Sequence, residues 1–366
     1  MTIRAWVNSA INKIEADFQR SADTHLIKVD LPDNINANLY LKDESTHPTG
    51  SLKHRLARSL FLYGLANGWI TEKKPIIESS SGSTAVSEAY FAKLLGLPFY
   101  AVMPQNTSIK KIEQIQFYGG ICHFVIEGDV YTEARNLAFE VNGHYMDQFT
   151  FAERATDWRS NNNVAESIFK QLDKEPQKVP DWIVVSAGTG GTSATIGRYI
   201  RYKQYRTKLC VADPEHSVFF DYFQSGNPEL TINTASNIEG IGRPRVEPSF
   251  IKEVVDQMIK IPDGASIAAV QYLEKLLNRR VGGSTGTNIF AALQLLSRKN
   301  SSEHPLTIVS MICDSGERYT DTYFNKDWVR DNGFEITSFT LQLERFFSEG
   351  KFSQDFLPQV KCHPDL

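Results

Sequence analysis

An α/β protein made of two doubly wound lobes is the fold this sequence predicts, and three observations predict it. Between residues 75 and 141, short apolar runs alternate with segments of helical periodicity, the βαβα rhythm of parallel sheets. The rhythm breaks near Asp147, resumes at residue 163 and ends on the apolar run Leu306–Ile312. At 366 residues and 41% hydrophobic content, the chain is long enough for two cores.

Apolar residues at helical spacing (Trp6, Ala10, Ile14, Phe18) predict an N-terminal helix. Leu26–Val29 and the alternating run 38–43 read as strands. Pro48 and Gly50 break the chain before a helix carrying Leu56, Leu60, Leu62 and Leu65, with Ser51 placed to cap it. The rhythm then gives strand 75–78, helix Ser83–Leu95, strand 99–103, helix 109–118, strand 122–126 and helix 131–141. After the break come helix 163–172, strand Trp182–Ser186, helix 192–202 and strand 208–212. Residues 213–262, rich in Pro, Gly and Asn, are expected to be irregular and in part a functional loop. Helices 266–277 and 288–296 and strand Leu306–Ile312 follow, and the tail from Phe334 carries no motif.

The net charge is −4 with both signs dispersed, which argues against nucleic acid and anionic membranes as partners. No apolar leader and no run of membrane-spanning length is present, so a cytoplasmic location is expected. Cys122, Cys210, Cys313 and Cys362 are far apart. That spacing suits reduced thiols rather than a disulfide framework or a metal site.

Three stretches carry chemistry. Lys53 opens a helix, where the dipole disfavours an ammonium. Most lysines are solvated surface groups. A buried lysine beside His54, Arg55 and Arg58 would instead be suited to act as a neutral nucleophile or Schiff-base former. Ser186-Ala187-Gly188-Thr189-Gly190-Gly191-Thr192 follows a strand and opens a helix, the context of an anion site or of a plain tight turn. Ser193 breaks the dinucleotide pattern, and no Gly-Lys-Ser/Thr ending is present, so a single phosphate fits better than a pyrophosphate. Glu78-Ser79-Ser80-Ser81-Gly82-Ser83-Thr84 has the same context and makes a second anion or carboxylate cradle, beyond what one helix cap needs. A G-x-S-x-G pattern surrounds Ser284 and raises a serine hydrolase as a rival. That nucleophile needs a preceding strand, whereas residues 265–279 read as helix.

Together these stretches resemble the fold-type II pyridoxal-phosphate enzymes of the cysteine synthase and cystathionine β-synthase group. The lysine motif is met by Ser51-Leu52-Lys53-His54-Arg55 and the phosphate loop by Gly188-Thr189-Gly190-Gly191-Thr192. Gln148-Phe149, Gly240-Ile241-Gly242, Ser284-Thr285-Gly286 and the run from Ser315 to Tyr319 match in order, over roughly residues 24 to 325. Within the group the chain most resembles the bacterial L-cysteine desulfhydrase subfamily, on residues 40–58, 78–97 and 145–168 with its Asn161-Asn162-Asn163 run.

The resemblance implies a tryptophan synthase β-like fold, two α/β domains with the active site between them. Residues 45–147 would form a smaller N-terminal substrate-loop domain, and 1–44 with 148–366 the larger cofactor-binding domain. It implies pyridoxal 5′-phosphate as cofactor, an amino-acid substrate (L-cysteine or a β-substituted alanine) and a homodimer. The implied reaction is α,β-elimination of L-cysteine to hydrogen sulfide, pyruvate and ammonia through an aminoacrylate. Cysteine synthase, or another β-replacement enzyme such as cystathionine β-synthase, is the alternative. A fold that mainly binds a partner's C-terminal peptide is a further one, against which the complete residue set argues.

By the same resemblance, Lys53 anchors the cofactor and shuttles the Cα proton. Gly188, Thr189, Gly190, Gly191 and Thr192 hold the phosphate, and Ser284 meets the ring nitrogen, with Ser315 as fallback. Ser80, Ser81, Gly82, Thr84 and Gln148 bind the substrate carboxylate, and Gly240 and Ile241 line the entrance. Two positions depart from the group. Ser83 stands where cysteine synthases carry asparagine against the cofactor 3′-oxygen, and His25 stands where proline is usual.

Overall fold

The computed structural model describes residues 2–126, 128–298, 304–352 and 359–363. The chain runs α1 (Ile3–Gln19), β1 (Leu26–Val29), β2 (Ala37–Asp43), α2 (Lys53–Ala66), β3 (Ile76–Ser79), α3 (Ser83–Leu95), β4 (Phe99–Pro104), α4 (Ile109–Phe117), β5 (Ile121–Val125), α5 (Val130–Glu140), β6 (His144–Tyr145), α6 (Gln148–Ala155) and α7 (Val164–Leu172). It continues with β7 (Trp182–Ser186), α8 (Gly191–Tyr202), β8 (Lys208–Pro214), α9 (Phe219–Ser225), β9 (Gln257–Ile261), α10 (Asp263–Leu277), α11 (Gly283–Arg298), β10 (Leu306–Ile312), α12 (Lys326–Asp331), α13 (Thr337–Glu349) and β11 (Val360–Cys362). Two compact units share these elements, residues 1–23 with 47–157 and residues 24–46 with 158–366.

The smaller unit is a four-stranded sheet in the order β5-β4-β3-β6, with every neighbouring pair parallel. Parallel strands need crossovers, and α3, α4 and α5 supply them. Pairing of Ile77 with Tyr145 sets the ends of β3 and β6 side by side, so the segments that follow these strands are neighbours. Loops past the carboxyl ends of parallel strands are where α/β sheets bind ligands. The boundaries drawn from sequence differ from this division at both ends of the unit. Ala10 and Ile14 of α1 lie in one apolar core with Leu56, Leu60 and Phe61 of α2, which draws α1 into the smaller unit. Ala152 of α6 joins the same core.

The larger unit is a seven-stranded sheet in the order β1-β2-β10-β7-β8-β9-β11. Its inner strands are parallel, and β1 and β11 close the two edges antiparallel. α10 and α11 bury a continuous apolar set that includes Ile267, Val270, Phe290 and Leu293. The Asn161-Asn162-Asn163 run is a turn and a cap. Asn161 and Asn162 take positive φ, and the Asn163 side chain accepts from Ala165 N and Glu166 N at the start of α7. Residues 213–262 are less irregular than expected, since they contain α9 and β9. Met258, Ile259 and Ile261 of β9 are fully buried, in a run too short and too mixed in polarity to show as a strand by alternation.

Candidate active site

In the smaller unit, Lys53 is the first residue of α2. The position before it is Leu52, and the Ser51 hydroxyl accepts the Lys53 N–H at 3.3 Å, so Ser51 still serves the helix start. The cationic neighbours turn to acids: Arg55 pairs with Asp23 at 2.8 Å, and Arg58 pairs with Glu15 at 3.4 Å over the Phe18 ring. His54 is hydrogen-bonded to Thr49 at 3.2 Å, and Thr49 to Ser87 of α3 at 2.9 Å, which ties the approach to Lys53 onto α3.

The serine loop joins β3 to α3. Gly82 caps α3 in extended conformation with no side-chain cap bond, and the Ser80 hydroxyl accepts from Gly82 N at 3.2 Å. Ser83 is the first helical residue, and Ser81 stands with Ser80 on the open part of the loop. Thr84 is buried and donates to Gln148 Oε1 at 2.7 Å. With its oxygen so used, the Gln148 amide N–H2 is the end offered to an anion. Gln148 opens α6, the helix that follows β6.

Sequence reasoning missed what holds these two segments together. Glu78, next to last in β3, is fully buried and accepts from Ser79 N at 2.7 Å and from Gln148 N at 3.1 Å. A lone acid at the end of Ile-Ile-Glu-Ser was the available signal. Burial pushes its carboxyl up to about 8.

In the larger unit, the loop 186–190 leaves β7 and opens α8. Gly190 sits at φ +88 and makes no side-chain cap bond of its own; Gly191 N donates to the Thr189 hydroxyl at 3.3 Å, and the other N–H groups of the first turn are the donors an anion could use. A Cβ on Gly190 would lie 2.5 Å from Phe250 Cα, and one on Gly188 would lie 2.2 Å from the Gly240 oxygen. Gly242 N donates to Ala187 O at 2.9 Å, which seats the loop of Gly240 and Ile241 on the glycine loop.

Ser284 is the second residue of α11 and is buried. No strand leads into it: α10 ends at Leu277, so the hydrolase elbow is missing. A Cβ on the adjacent Gly283 would lie 3.1 Å from Ile238, in the segment that carries Gly240. Tyr323, another residue the sequence did not point to, donates to Asn237 O and accepts from Glu239 N, each at 2.9 Å, and so fixes that segment. Ser315 lies beside the same turn: Gly282 N donates to Asp314 O at 3.1 Å, and Val281 and Ser315 form a β-bridge.

The family described as pyridoxal-phosphate dependent enzyme matches residues 19–314. The chain belongs to this family. Its cofactor is pyridoxal phosphate.

The residues of this pyridoxal-phosphate dependent enzyme fit that group. Gly188 and Gly190 leave a backbone cradle that any side chain would fill, at an uncapped helix start that could hold the phosphate. Lys53 carries an amine of the kind an aldehyde would need, and Ser284 and Ser315 each carry a neutral hydroxyl that could meet a ring nitrogen.

The chain is 58% identical to L-cysteine desulfhydrase Cds1 of Mycobacterium tuberculosis, over 91% of this chain and 92% of that one. It is 26% identical to a cysteine synthase of Dictyostelium discoideum, over 86% and 85%. Among solved structures it resembles O-ureido-L-serine synthase, with a TM-score of 0.73 at 22% identity, over 87% of this chain and 95% of that one. That likeness confirms the α/β fold of the fold-type II enzymes.

Buried acids give this enzyme a pH signature. The folded carboxyl of Glu78 is raised to about 8 and that of Asp213 to about 7, so the native state holds protons that the unfolded chain has released. Stability from both is lost as pH rises through these values. Buried His144, lowered from 6.5 to about 4, acts oppositely, but only below 6.5. The melting temperature is therefore expected to fall as pH rises from 6.5 to 8 at constant ionic strength. A melting temperature that climbs through this window contradicts the assignment of Glu78 as a buried acid.

Proposed function

We propose that this chain is a carbon–sulfur lyase that eliminates hydrogen sulfide from L-cysteine, leaving pyruvate and ammonia after hydrolysis. The 58% identity to an L-cysteine desulfhydrase over nine-tenths of both chains carries this reading. Bound pyridoxal phosphate supplies an electron sink that acidifies the amino-acid Cα proton. The Lys53 amine anchors the cofactor and takes that proton. The N–H groups and hydroxyls of Gly188, Thr189, Gly190, Gly191 and Thr192 hold the phosphate. Ser80, Ser81, Gly82, Thr84 and the Gln148 amide hold the substrate carboxylate, while Gly240 and Ile241 line the entrance. Ser83 faces the 3′-oxygen with a hydroxyl where cysteine synthases carry an amide.

Ser284 donates to the ring nitrogen in this reading. A hydroxyl leaves that nitrogen neutral, which favours expelling the β-substituent over storing the carbanion. Ser315 is the second reading: its oxygen accepts the Glu317 N–H at 3.4 Å, which leaves its own proton to give. Ser284→Ala is expected to lower kcat about 10- to 100-fold, the scale of one lost hydrogen bond in a reacting site. If Ser315→Ala does so and Ser284→Ala does not, the contact belongs to Ser315.

β-Replacement, as in cysteine synthase, is the competing activity, favoured by the 26% identical relative. The kcat/KM for L-cysteine alone, set against that for O-acetylserine with sulfide, separates them; a larger value for replacement overturns the lyase reading. A homodimer is supported by the apolar side chains exposed on the smaller unit, Ile109 and Phe117 of α4 and Ile121 and Phe124 of β5, an edge strand. Sedimentation equilibrium tests it. Four cysteines that form no disulfide support a cytoplasmic location, and among the described residues no helix is long and apolar enough to cross a membrane.

A further inference from the structure

Glu78 and Glu88 are both 0% exposed in the smaller unit. Glu78 stands where the serine loop and Gln148 meet. Its Oε1 accepts from Ser79 N at 2.7 Å and from the Ser79 hydroxyl at 3.2 Å, and its Oε2 accepts from Gln148 N at 3.1 Å. The Ser79 hydroxyl is also 2.8 Å from Tyr145 OH. Asp147, just before Gln148, sits at φ 47 and ψ 63, a conformation few non-glycine residues adopt. The bond from Gln148 N to Glu78 therefore helps to hold a backbone that would otherwise relax.

Glu88 lies on α3 against Glu78. Among the described residues no N–H or O–H donor reaches either of its oxygens. The titratable groups facing Glu78 are Glu88 of α3, Asp147 before α6 and Tyr145 of β6, all acids. Two ionised carboxylates cannot be buried side by side without a cation. A proton between them removes one charge and makes a strong O–H···O bond. Burial raises both groups, Glu78 to about 8 and Glu88 well above the carboxylate range, in agreement with a retained proton.

We propose that Glu88 donates a retained proton to Glu78, and that this buried pair positions the Ser79-to-Thr84 loop and Gln148 for the substrate carboxylate. The proposal rests on the reading of those segments as the carboxylate site. Glu78 and Glu88 are positioning residues and touch no reacting atom. Losing the proton adds a second negative charge behind a loop that must hold an anion, and drives Glu78 away from Gln148.

The test uses the holoenzyme with L-alanine, a substrate analogue that has no thiol to titrate. In the wild type, L-alanine binding is expected to weaken at alkaline pH as the pair loses its retained proton, and infrared spectra at lower pH to show the C=O stretch of a buried protonated carboxyl. Glu88→Gln keeps a donor to Glu78 but cannot ionise. It should bind L-alanine as the wild type does, lose the carboxyl band and lose the alkaline weakening. Glu88→Leu removes the donor and should weaken binding about tenfold. Absence of the band in the wild type, or equal weakening in Glu88→Gln and Glu88→Leu, overturns the proposal. Thr84→Ala and Gln148→Ala test the underlying reading: if both bind L-alanine normally while the band is present, the carboxylate site lies elsewhere and the pair itself stands.

Discussion

Lys53→Ala is expected to lower turnover of L-cysteine by at least about a thousandfold, since it removes both the cofactor's covalent anchor and the base for the Cα proton. The visible absorbance of lysine-bound cofactor should vanish with it. Folding should survive, because Lys53 opens α2, where the helix dipole disfavours a cation and alanine is a good helix former. Circular dichroism and the melting temperature of the cofactor-free protein check this separately from activity. Turnover near the wild-type level in a folded Lys53→Ala protein contradicts the assignment.

Gly190→Ala and Gly188→Ala should give the next largest effect, through cofactor affinity. At Gly190 the new Cβ would come within 2.5 Å of Phe250 Cα, 2.6 Å of Ser249 O and 2.8 Å of Phe250 N, all backbone atoms that cannot swing aside. Its φ of +88 adds strain for any L side chain. At Gly188 the clash is with the Gly240 carbonyl, in the segment proposed to line the entrance. Overpacking of this kind costs about 1–3 kcal/mol, and the loop relieves it by moving its N–H groups off the phosphate. Each charge-assisted bond lost is worth about 1.5–3 kcal/mol, so the dissociation constant for pyridoxal phosphate should rise at least tenfold. Reconstitution of the cofactor-free protein followed by fluorescence measures it, and unchanged affinity in both variants contradicts the phosphate assignment.

Much of this was legible in the sequence, for a physical reason. Glycine loops and helix starts are local devices, so the Gly188–Gly190 turn and the start of α2 at Lys53 are announced by their neighbours in the chain. Parallel strands such as β7, β8 and β10 show as apolar runs because both faces are covered. β9 escaped because a short run with a polar first residue and a lysine gives little alternation. Glu78, Glu88 and Tyr323 escaped for a different reason. Their roles exist only in three dimensions: Glu78 bonds Gln148 seventy residues on, and Tyr323 bonds Glu239 eighty-four residues back. The packing of α1 was hidden likewise, since the partners of Ala10 and Ile14 lie beyond residue 55.

The lyase reading is tested most directly by the products formed when the holoenzyme is given L-cysteine as sole substrate. Sulfide, pyruvate and ammonia in equal amounts, from wild type but not from Lys53→Ala, is the predicted result. Cysteine consumed without pyruvate, or only when a second nucleophile is supplied, would contradict it.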